Sequence, residues 1–489
     1  MAVLNDIVKA NDIRGLVGEQ LDASVVRALG AAFARVILND DSPEVVVGHD
    51  MRDSSPELVA AFADGVTGEG RDVVLIGLCS TDGLYYASGA LDEPGVMFTA
   101  SHNPATYNGL KLCRSGARPI GLDSGLAGIR DLAQALLDQP SWRDTEPDPA
   151  GRGKVREENL LQGYAQHLRG LVQLPTRRRL KIVVDAGNGM AGLTVPAVLG
   201  GGTGLPGLPL EVVPMYFELD GTFPNHEANP LDPENLRDLQ AAVPQHGADL
   251  GLAFDGDADR CFVVDERGEP VSPSAIAALV ASREIAKDRQ NRAKPVVIHN
   301  LITSQTVPEV IAESGGEAVR TRVGHAFIKV EMANTDAVFG GEHSAHYYFR
   351  DFWFADTGML AALHVLAALG EQDGPLSELV AAYDRYTASG EINSKVDDVA
   401  AVTARVAEVF GQRTGVVVDD LDGLTVTHPA GAEIADDEPG GMWWFNLRPS
   451  NTEPLLRLNA EAAEPAVMEL IRDEVLALVR APLPQSDAE

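Results

Sequence analysis

The chain has 489 residues, 45% of them hydrophobic and 23% charged, and 39 Lys and Arg stand against 72 Asp and Glu for a net charge of −33. At roughly 100–200 residues per domain this length implies three or four domains, and no apolar run reaches the ~20 residues that cross a bilayer. So acidic a chain argues against non-specific binding to nucleic acid or acidic membranes, which needs a basic face.

The surplus of acid reads first as a solvated, repulsive surface. Where Arg and Lys do gather near glycines, a local anion site becomes the better reading. The N-terminal MAVLNDIVKANDIRG lacks a basic stretch followed by an apolar one, so no signal peptide is expected. Cys79, Cys113 and Cys261 are odd in number and lack metal-type spacing, which suits a reduced, cytoplasmic protein.

Along the chain, β-branched runs at 44–48 (EVVVG), 72–77 (DVVLIG), 181–185 (KIVVD) and 295–299 (PVVIH) alternate with helical patterns at 23–35, 57–67, 233–243 and 357–369. Continuous apolar strands parted by helices predict buried parallel sheets, hence α/β domains. Residues 138–157, rich in Pro, Gly and charge, predict an interdomain connection. Further breaks are expected near 266–273 and 389–397. Beyond them, 416–427 and 443–460 predict half-exposed antiparallel strands before a helix at Pro465–Arg480, a smaller α+β domain. The tail PLPQSDAE predicts fraying. No short-period repeat is present, but three successive α/β units fit copies of one fold.

The sharpest constellation is LGLAFDGDADRCFVVDE at 250–266. Asp255, Asp257 and Asp259 follow an apolar strand and repel one another unless a cation holds them; hard oxygens favour Mg²⁺ or Ca²⁺. An EF-hand is excluded, because Arg260 stands where its loop needs Gly and the flanks are strand-like. An aspartyl phosphatase leaves the third Asp and Arg260 unexplained. Asp and Arg around a cation suit a transferring phosphoryl group.

A second run, NLRPSNTEPLLRL at 446–458, offers Arg448, Ser450, Asn451 and Thr452 as a phosphate cradle, or a plain capped surface turn. In GGEHSAHYYF at 340–349, Glu342, His343, Ser344 and His346 suit sugar hydroxyls, with Gly324-His325 upstream. DIRG at 12–15 and GHDMR at 48–52 each read as a turn with an ordinary surface ion pair or as part of a site. In FTASHNPATYNGLKL at 98–112, adjacent Ser101 and His102 on an extended chain point to opposite faces and do not form a hydrogen-bonded pair. Nor is there a G-x-S-x-G elbow. Beside an aspartate loop and a phosphate cradle, Ser101 is better read as a phosphoryl carrier. Pro104 and Asn108-Gly109 read as the turn that brings Lys111 back toward it.

In this order, TASHNP (99–104), DGDADR (255–260), GEHSA (341–345) and RPSNTEP (448–454) resemble the α-D-phosphohexomutases, most of all the bacterial phosphomannomutase/phosphoglucomutase group. DIRG (12–15), DAGNGMAG (185–192) and FPNHEANPLDPENL (223–236) add to the likeness, which spans the chain. The resemblance implies four domains around a central cleft. Three are related mixed-sheet α/β domains (1–152, 153–268 and 269–386), and the fourth (387–489) is α+β, similar to the TATA-binding protein. It implies a phosphomannomutase, or a phosphoglucomutase or dual-specificity enzyme, working through phosphorylated Ser101 and a hexose 1,6-bisphosphate. Mg²⁺ would be held by Asp255, Asp257, Asp259 and the group on Ser101.

The resemblance further places Lys111 as general acid/base assisted by His102, Arg14 and Arg260. Glu342, Ser344, His325 and His346 would contact the sugar, and Arg448, Ser450, Asn451 and Thr452 the idle phosphate. The expected partner is a small phosphosugar, with no nucleic acid and no membrane. Four departures stand out. Ala258 replaces a common Gly, expected to be harmless, and His343 and Ala345 replace Met and Gly of the sugar loop. GLCSTDGLYYA (77–87) lacks a usual Pro-Thr-Pro, expected to touch a turn rather than chemistry, and Asn11 replaces a frequent Tyr.

Overall fold

A computed structural model describes residues 4–39, 41–139, 142, 151–435, 438–449 and 455–482. Its strands form four sheets, which follow one another along the chain.

In the first sheet the order is Asp12–Leu16, Tyr107–Arg114, Gly95–Phe98, Glu44–His49, Asp72–Leu78 and Val155–Glu157. The four strands from Gly95–Phe98 outward are parallel, and Tyr107–Arg114 runs antiparallel to both its neighbours. The apolar run foreseen at 44–48 is a buried strand, as a sheet covered on both faces requires, whereas the strand at the 72–77 run is buried only at Val73 and Val74. Helices Ala23–Val36 and Ser55–Gly68 pack close: Cβ atoms on Gly30 and Gly65 would strike the opposing backbone at 2.3 and 2.1 Å.

The end of the supposed connection at 138–157 is the edge strand Val155–Glu157, paired with Asp72–Leu78; residues 140–141 and 143–150 lie outside those described. Asn108-Gly109 belongs to a strand, not a turn, because Thr99 N donates to Gly109 O and fixes the hairpin loop at 99–106.

The second sheet orders Pro270–Val271, Cys261–Asp265, Leu250–Phe254, Leu180–Asp185 and Leu210–Met215. The third orders Glu317–Thr321, Val296–Asn300, Phe339–Gly341, Tyr347–Phe349 and Ala355–Asp356. Both mix parallel and antiparallel pairs. Their cores are continuous through helices Pro273–Asp288 and Gly358–Gly370. Every residue of the latter is buried, as an all-round apolar helix demands.

The fourth sheet is antiparallel, with Leu455–Ala462 and Trp443–Pro449 at its centre and helices Val399–Phe410 and Pro465–Arg480 against one face. The strand expected to be half-exposed is buried on both sides from Trp443 to Arg448. Trp443, Phe445 and Leu447 face the helices, while on the other face Trp444 Nε1 donates to buried Glu461 (2.7 Å), whose carboxylate accepts from Gln305 N of the third unit (2.8 Å). That face meets another domain at Trp444 and Glu461, while Asn446 Nδ2 is satisfied within its own by Asp422 O and Thr425 Oγ1. Among the described residues no helix is long and apolar enough to cross a membrane.

Candidate active site

The serine loop grows out of the buried strand Gly95–Phe98. Ser101 takes a left-handed backbone (φ +50°), which costs a non-glycine residue about 1–2 kcal/mol. Thr99 Oγ1 accepts from Ser101 N at 2.9 Å and helps to hold that bend. Because the chain is not extended at Ser101, its hydroxyl and the ring of His102 point the same way: Ser101 Oγ lies 3.2 Å from His102 Nδ1. The opposite-face reading fails at this residue. Ser101 Oγ also donates to Asp255 Oδ2 at 3.0 Å.

The aspartate loop joins antiparallel strands Leu250–Phe254 and Cys261–Asp265, and Asp255, Asp257, Asp259 and Arg260 are all buried. Arg260 donates its backbone N (3.1 Å) and Nε (3.0 Å) to Asp255, and its other guanidinium arm to His102 Nδ1 (2.7 Å). His102 Nδ1 is thus an acceptor; burial, with Arg260 and Arg14, pushes the imidazole down to about 3. Lys111 Nζ donates to Asp257 Oδ2 and Asp259 Oδ2, both at 2.6 Å. Antiparallel pairing of its strand with Asp12–Leu16 places Lys111 opposite Asp12. Arg14 there bonds Asp12 (2.8 Å) and Asn103 Oδ1 (2.8 Å).

The three carboxylates fit a divalent cation. One oxygen from each lies within 4.8 Å of the others, and Asp257 Oδ1 and Asp259 Oδ1 are buried without a hydrogen-bond partner among the described residues. Burial and the two neighbouring carboxylates lift Asp255 well above the ordinary carboxyl range, against the pull of Arg260. Asp257 and Asp259 are equally buried, yet the Lys111 ammonium keeps both below it. An all-oxygen, acid-rich set suits Mg²⁺ rather than a soft metal.

A cavity of about 170 Å³ gathers Arg14, Ser101, His102, Lys111, Asp259, Arg260, His325 and His346. Asn11 lines it too. Sequence reasoning missed two more of its residues, Lys329 and Asp356, an ion pair at 2.6 Å with both partners buried. Lys329 sits one helical turn after His325, a spacing that could have flagged it; Asp356 had no such signal. Burial, then Lys329, pushes His325 down to about 4. A larger crevice of about 670 Å³ between the first two units, lined mainly by apolar side chains, holds none of these residues.

Glu342, Ser344 and Arg448 stand outside the lining of the smaller cavity. Glu342 is buried, its oxygens accepting from Asn300 Nδ2 (3.0 Å) and the Tyr348 hydroxyl. Ser344 Oγ lies 2.9 Å from His346 Nδ1, and His346 Nε2 lies 4.0 Å from Asp259 Oδ1, linking the 341–346 segment to the aspartates. His343 turns away, toward Ser274 Oγ (2.9 Å). Arg448 pairs with Glu391 (3.2 Å), which also pairs with Arg457, its cross-strand partner (3.3 Å). Ser450, Asn451 and Thr452 lie outside the described residues.

The segment 77–87 reaches the aspartate loop rather than shaping a turn alone: Thr81 Oγ1 donates to Asp257 Oδ2 at 2.5 Å and Thr81 N to Asp257 O at 3.0 Å. Ala258 and Ala345 adopt φ of +59° and +64°, so the replacement of glycine at 258 is not neutral. GHDMR is no surface pair, since Asp50 and Arg52 are fully buried.

Family models match the chain in four parts. They are the phosphoglucomutase/phosphomannomutase α/β/α domains I (residues 5–136), II (162–268) and III (272–386), and the C-terminal domain (391–478). Phosphohexose mutases of Xanthomonas campestris pv. campestris are 40% identical over 475 residues, 96% of this chain and 98% of theirs. A phosphomannomutase of Escherichia coli strain K12 is 40% identical over 458 residues, 93% and 94% of the two chains. The crystal structure of a phosphoglucomutase/phosphomannomutase family protein from Burkholderia thailandensis aligns with a TM-score of 0.81 at 30% identity, covering 98% of each chain. With all four domains matched in order, the chain belongs to the phosphoglucomutase/phosphomannomutase family of α-D-phosphohexomutases.

Proposed function

We propose that this chain is a cytoplasmic phosphomannomutase, interconverting mannose 6-phosphate and mannose 1-phosphate through phosphorylated Ser101 and a hexose 1,6-bisphosphate. The observation that carries the reading is the seryl oxygen 3.0 Å from Asp255, inside a buried aspartate loop that also holds Lys111 and Arg260. In the forward step the bond from phosphorus to Ser101 Oγ breaks as one forms to a sugar hydroxyl oxygen. That hydroxyl loses its proton and Ser101 Oγ gains one. The bisphosphate then turns over and returns its other phosphoryl group to Ser101, so phosphate is neither gained nor lost.

Lys111, within the same cavity, is the proton-handling group. Arg260 and Arg14 offer their guanidinium groups to the equatorial oxygens of the transferring group. His102, kept neutral, orients Arg260 through its Nδ1. Asp255, Asp257 and Asp259 would hold Mg²⁺, which when bound neutralises charge on the moving phosphoryl group. His325, His346, Glu342 and Ser344 take the sugar hydroxyls. Arg448, with Ser450, Asn451 and Thr452, takes the phosphate at rest. Domain boundaries at 152, 268 and 386 belong to the same reading.

Action on glucose phosphates is the second reading, favoured by the broader name of the Xanthomonas relatives. A coupled assay on mannose 1-phosphate and glucose 1-phosphate, primed with hexose 1,6-bisphosphate, separates the two; equal rates refute the mannose preference. Intact mass should show one phosphoryl group, absent from Ser101→Ala. Full mutase turnover by Ser101→Ala would sink the central claim.

A further inference from the structure

The second half of the GHDMR segment is left unused by this chemistry, yet it lies directly behind Ser101. Arg52 is fully buried, and each of its five guanidinium N–H donors has a partner. Nε donates to Asp50 Oδ2 (3.1 Å). One arm donates to the carbonyls of Pro104 (2.8 Å) and Tyr107 (3.0 Å), the other to those of Ser101 (2.9 Å) and Asn103 (2.6 Å). Four carbonyl oxygens of one short loop therefore converge on one planar cation. Without it the buried Ser101 carbonyl would lose its partner and the four converging oxygens would repel one another, just behind a residue that must carry a phosphoryl dianion.

We propose that Arg52 is a positioning residue for phosphoryl transfer: its guanidinium curls the 101–107 loop so that the left-handed Ser101 presents Oγ to the aspartate loop. The inference rests on the phosphoserine reading above. Asp50 anchors the clamp, accepting from Arg52 N (3.1 Å) and Ser55 Oγ (2.8 Å), while the Thr99 hydroxyl receives Ser101 N. The second domain closes over it. The Phe223 ring lies 5.3 Å from the guanidinium, and a Cβ on Gly221 would sit 2.8 Å from Arg52 Cα. The same covering loop supplies the Ala228 carbonyl that receives Gly256 N (3.2 Å). One buried cation thus fixes the serine loop relative to the segment that supports the aspartates.

Arg52→Lys keeps the charge but offers at most three donors without the fork. Its kcat should fall by about 30-fold or more, as expected for a misplaced reacting group, while KM for mannose 1-phosphate changes by less than about three-fold. Single-turnover phosphorylation of Ser101 by hexose 1,6-bisphosphate should slow by the same factor as kcat. A variant that loses only melting temperature, with kcat intact, or that raises KM in place of lowering kcat, overturns the proposal. Should Arg52→Lys not fold, Asp50→Asn decides: a kcat loss of about five-fold or more at fixed KM supports the clamp, and unchanged kcat overturns it. Wild-type enzyme is the control. If it acquires no phosphoryl group on Ser101, the mutase reading itself fails; if it does and the variants match it, only the clamp fails.

Discussion

The carbonyl oxygen of Ser101 and the α-carbon of Gly256 are in such close contact that a Cβ at position 256 would lie 2.4 Å from that oxygen. The serine loop and the aspartate loop come from different domains, and this is where their backbones touch. Gly256→Ala must push the two apart, because a backbone oxygen held by Arg52 has nowhere to go. Displacement of about 1 Å at a reacting centre costs on the order of 100-fold. Gly256→Ala is therefore expected to lose about 100-fold in mutase kcat. Steady-state kinetics that show wild-type kcat in a folded Gly256→Ala enzyme would refute this geometry.

Lys111 is the counter-charge of two buried carboxylates, 2.6 Å from each. Removing one partner of a buried pair leaves an uncompensated charge and costs about 3–5 kcal/mol. Lys111→Met should show that loss in urea unfolding without divalent cation, and should lose most activity. If the three aspartates hold Mg²⁺, the ion replaces part of the missing charge. Added Mg²⁺ at about 100 times its Kd should then return about 2.7 kcal/mol to the variant. Unfolding midpoints indifferent to Mg²⁺ would count against the metal site.

Two alanines in the loops carry backbone strain that glycine would relieve. Ala258 and Ala345 both sit in the left-handed region, and a Cβ there costs about 1–2 kcal/mol. Glycine gives some of this back through the freer unfolded chain. Ala345→Gly and Ala258→Gly should each stabilise the protein by up to about 1 kcal/mol, read as a rise in melting temperature. A drop for both would mean that the loops are held by packing rather than strained.

The strands and helices legible in the sequence were those with a strong period and clear ends: Glu44–His49, Asp72–Leu78 and Pro465–Arg480 fall where their patterns place them. The sites of the aspartate and serine loops were legible too, since three acids or a polar cluster after an apolar strand has few cheap explanations. What could not be read was decided by contacts between distant segments. Arg52 looks like any turn arginine until the loop it binds, some 50 positions on, folds around it. Thr81 likewise becomes part of the aspartate site only through a contact with Asp257. The pairing of Ser101 with His102 escapes a reading by alternation, which holds for extended backbone and is cancelled by one left-handed residue. Polar residues alternate along Trp443–Pro449, which predicts a half-exposed strand, yet Trp444 is buried at a contact with another domain and Asn446 against Thr425 of its own.

Asp82 is the meeting point of three domains and sets the last expectation. Its carboxylate accepts from Ser80, from the Tyr164 hydroxyl of the second unit (2.7 Å) and from Thr357 Oγ1 of the third (2.7 Å). Burial pushes its pKa up to about 6, and the three hydroxyl donors only partly oppose this. The folded protein therefore holds the Asp82 proton more tightly than the unfolded chain, whose aspartate titrates near 3.8. The stabilisation linked to that proton is fully present below about pH 4, fades as pH rises toward 6 and is gone above it. Raising it from 3.8 to about 6 corresponds to about 3 kcal/mol in all. The other acids of so acidic a chain also titrate in this window, so the comparison needed is with Asp82→Asn, which cannot titrate at this position. The stability of wild type relative to Asp82→Asn should fall by about 2.5 kcal/mol between pH 4 and pH 7. Urea unfolding of both proteins across that range measures it, and a difference that stays flat would show that Asp82 is ionised throughout.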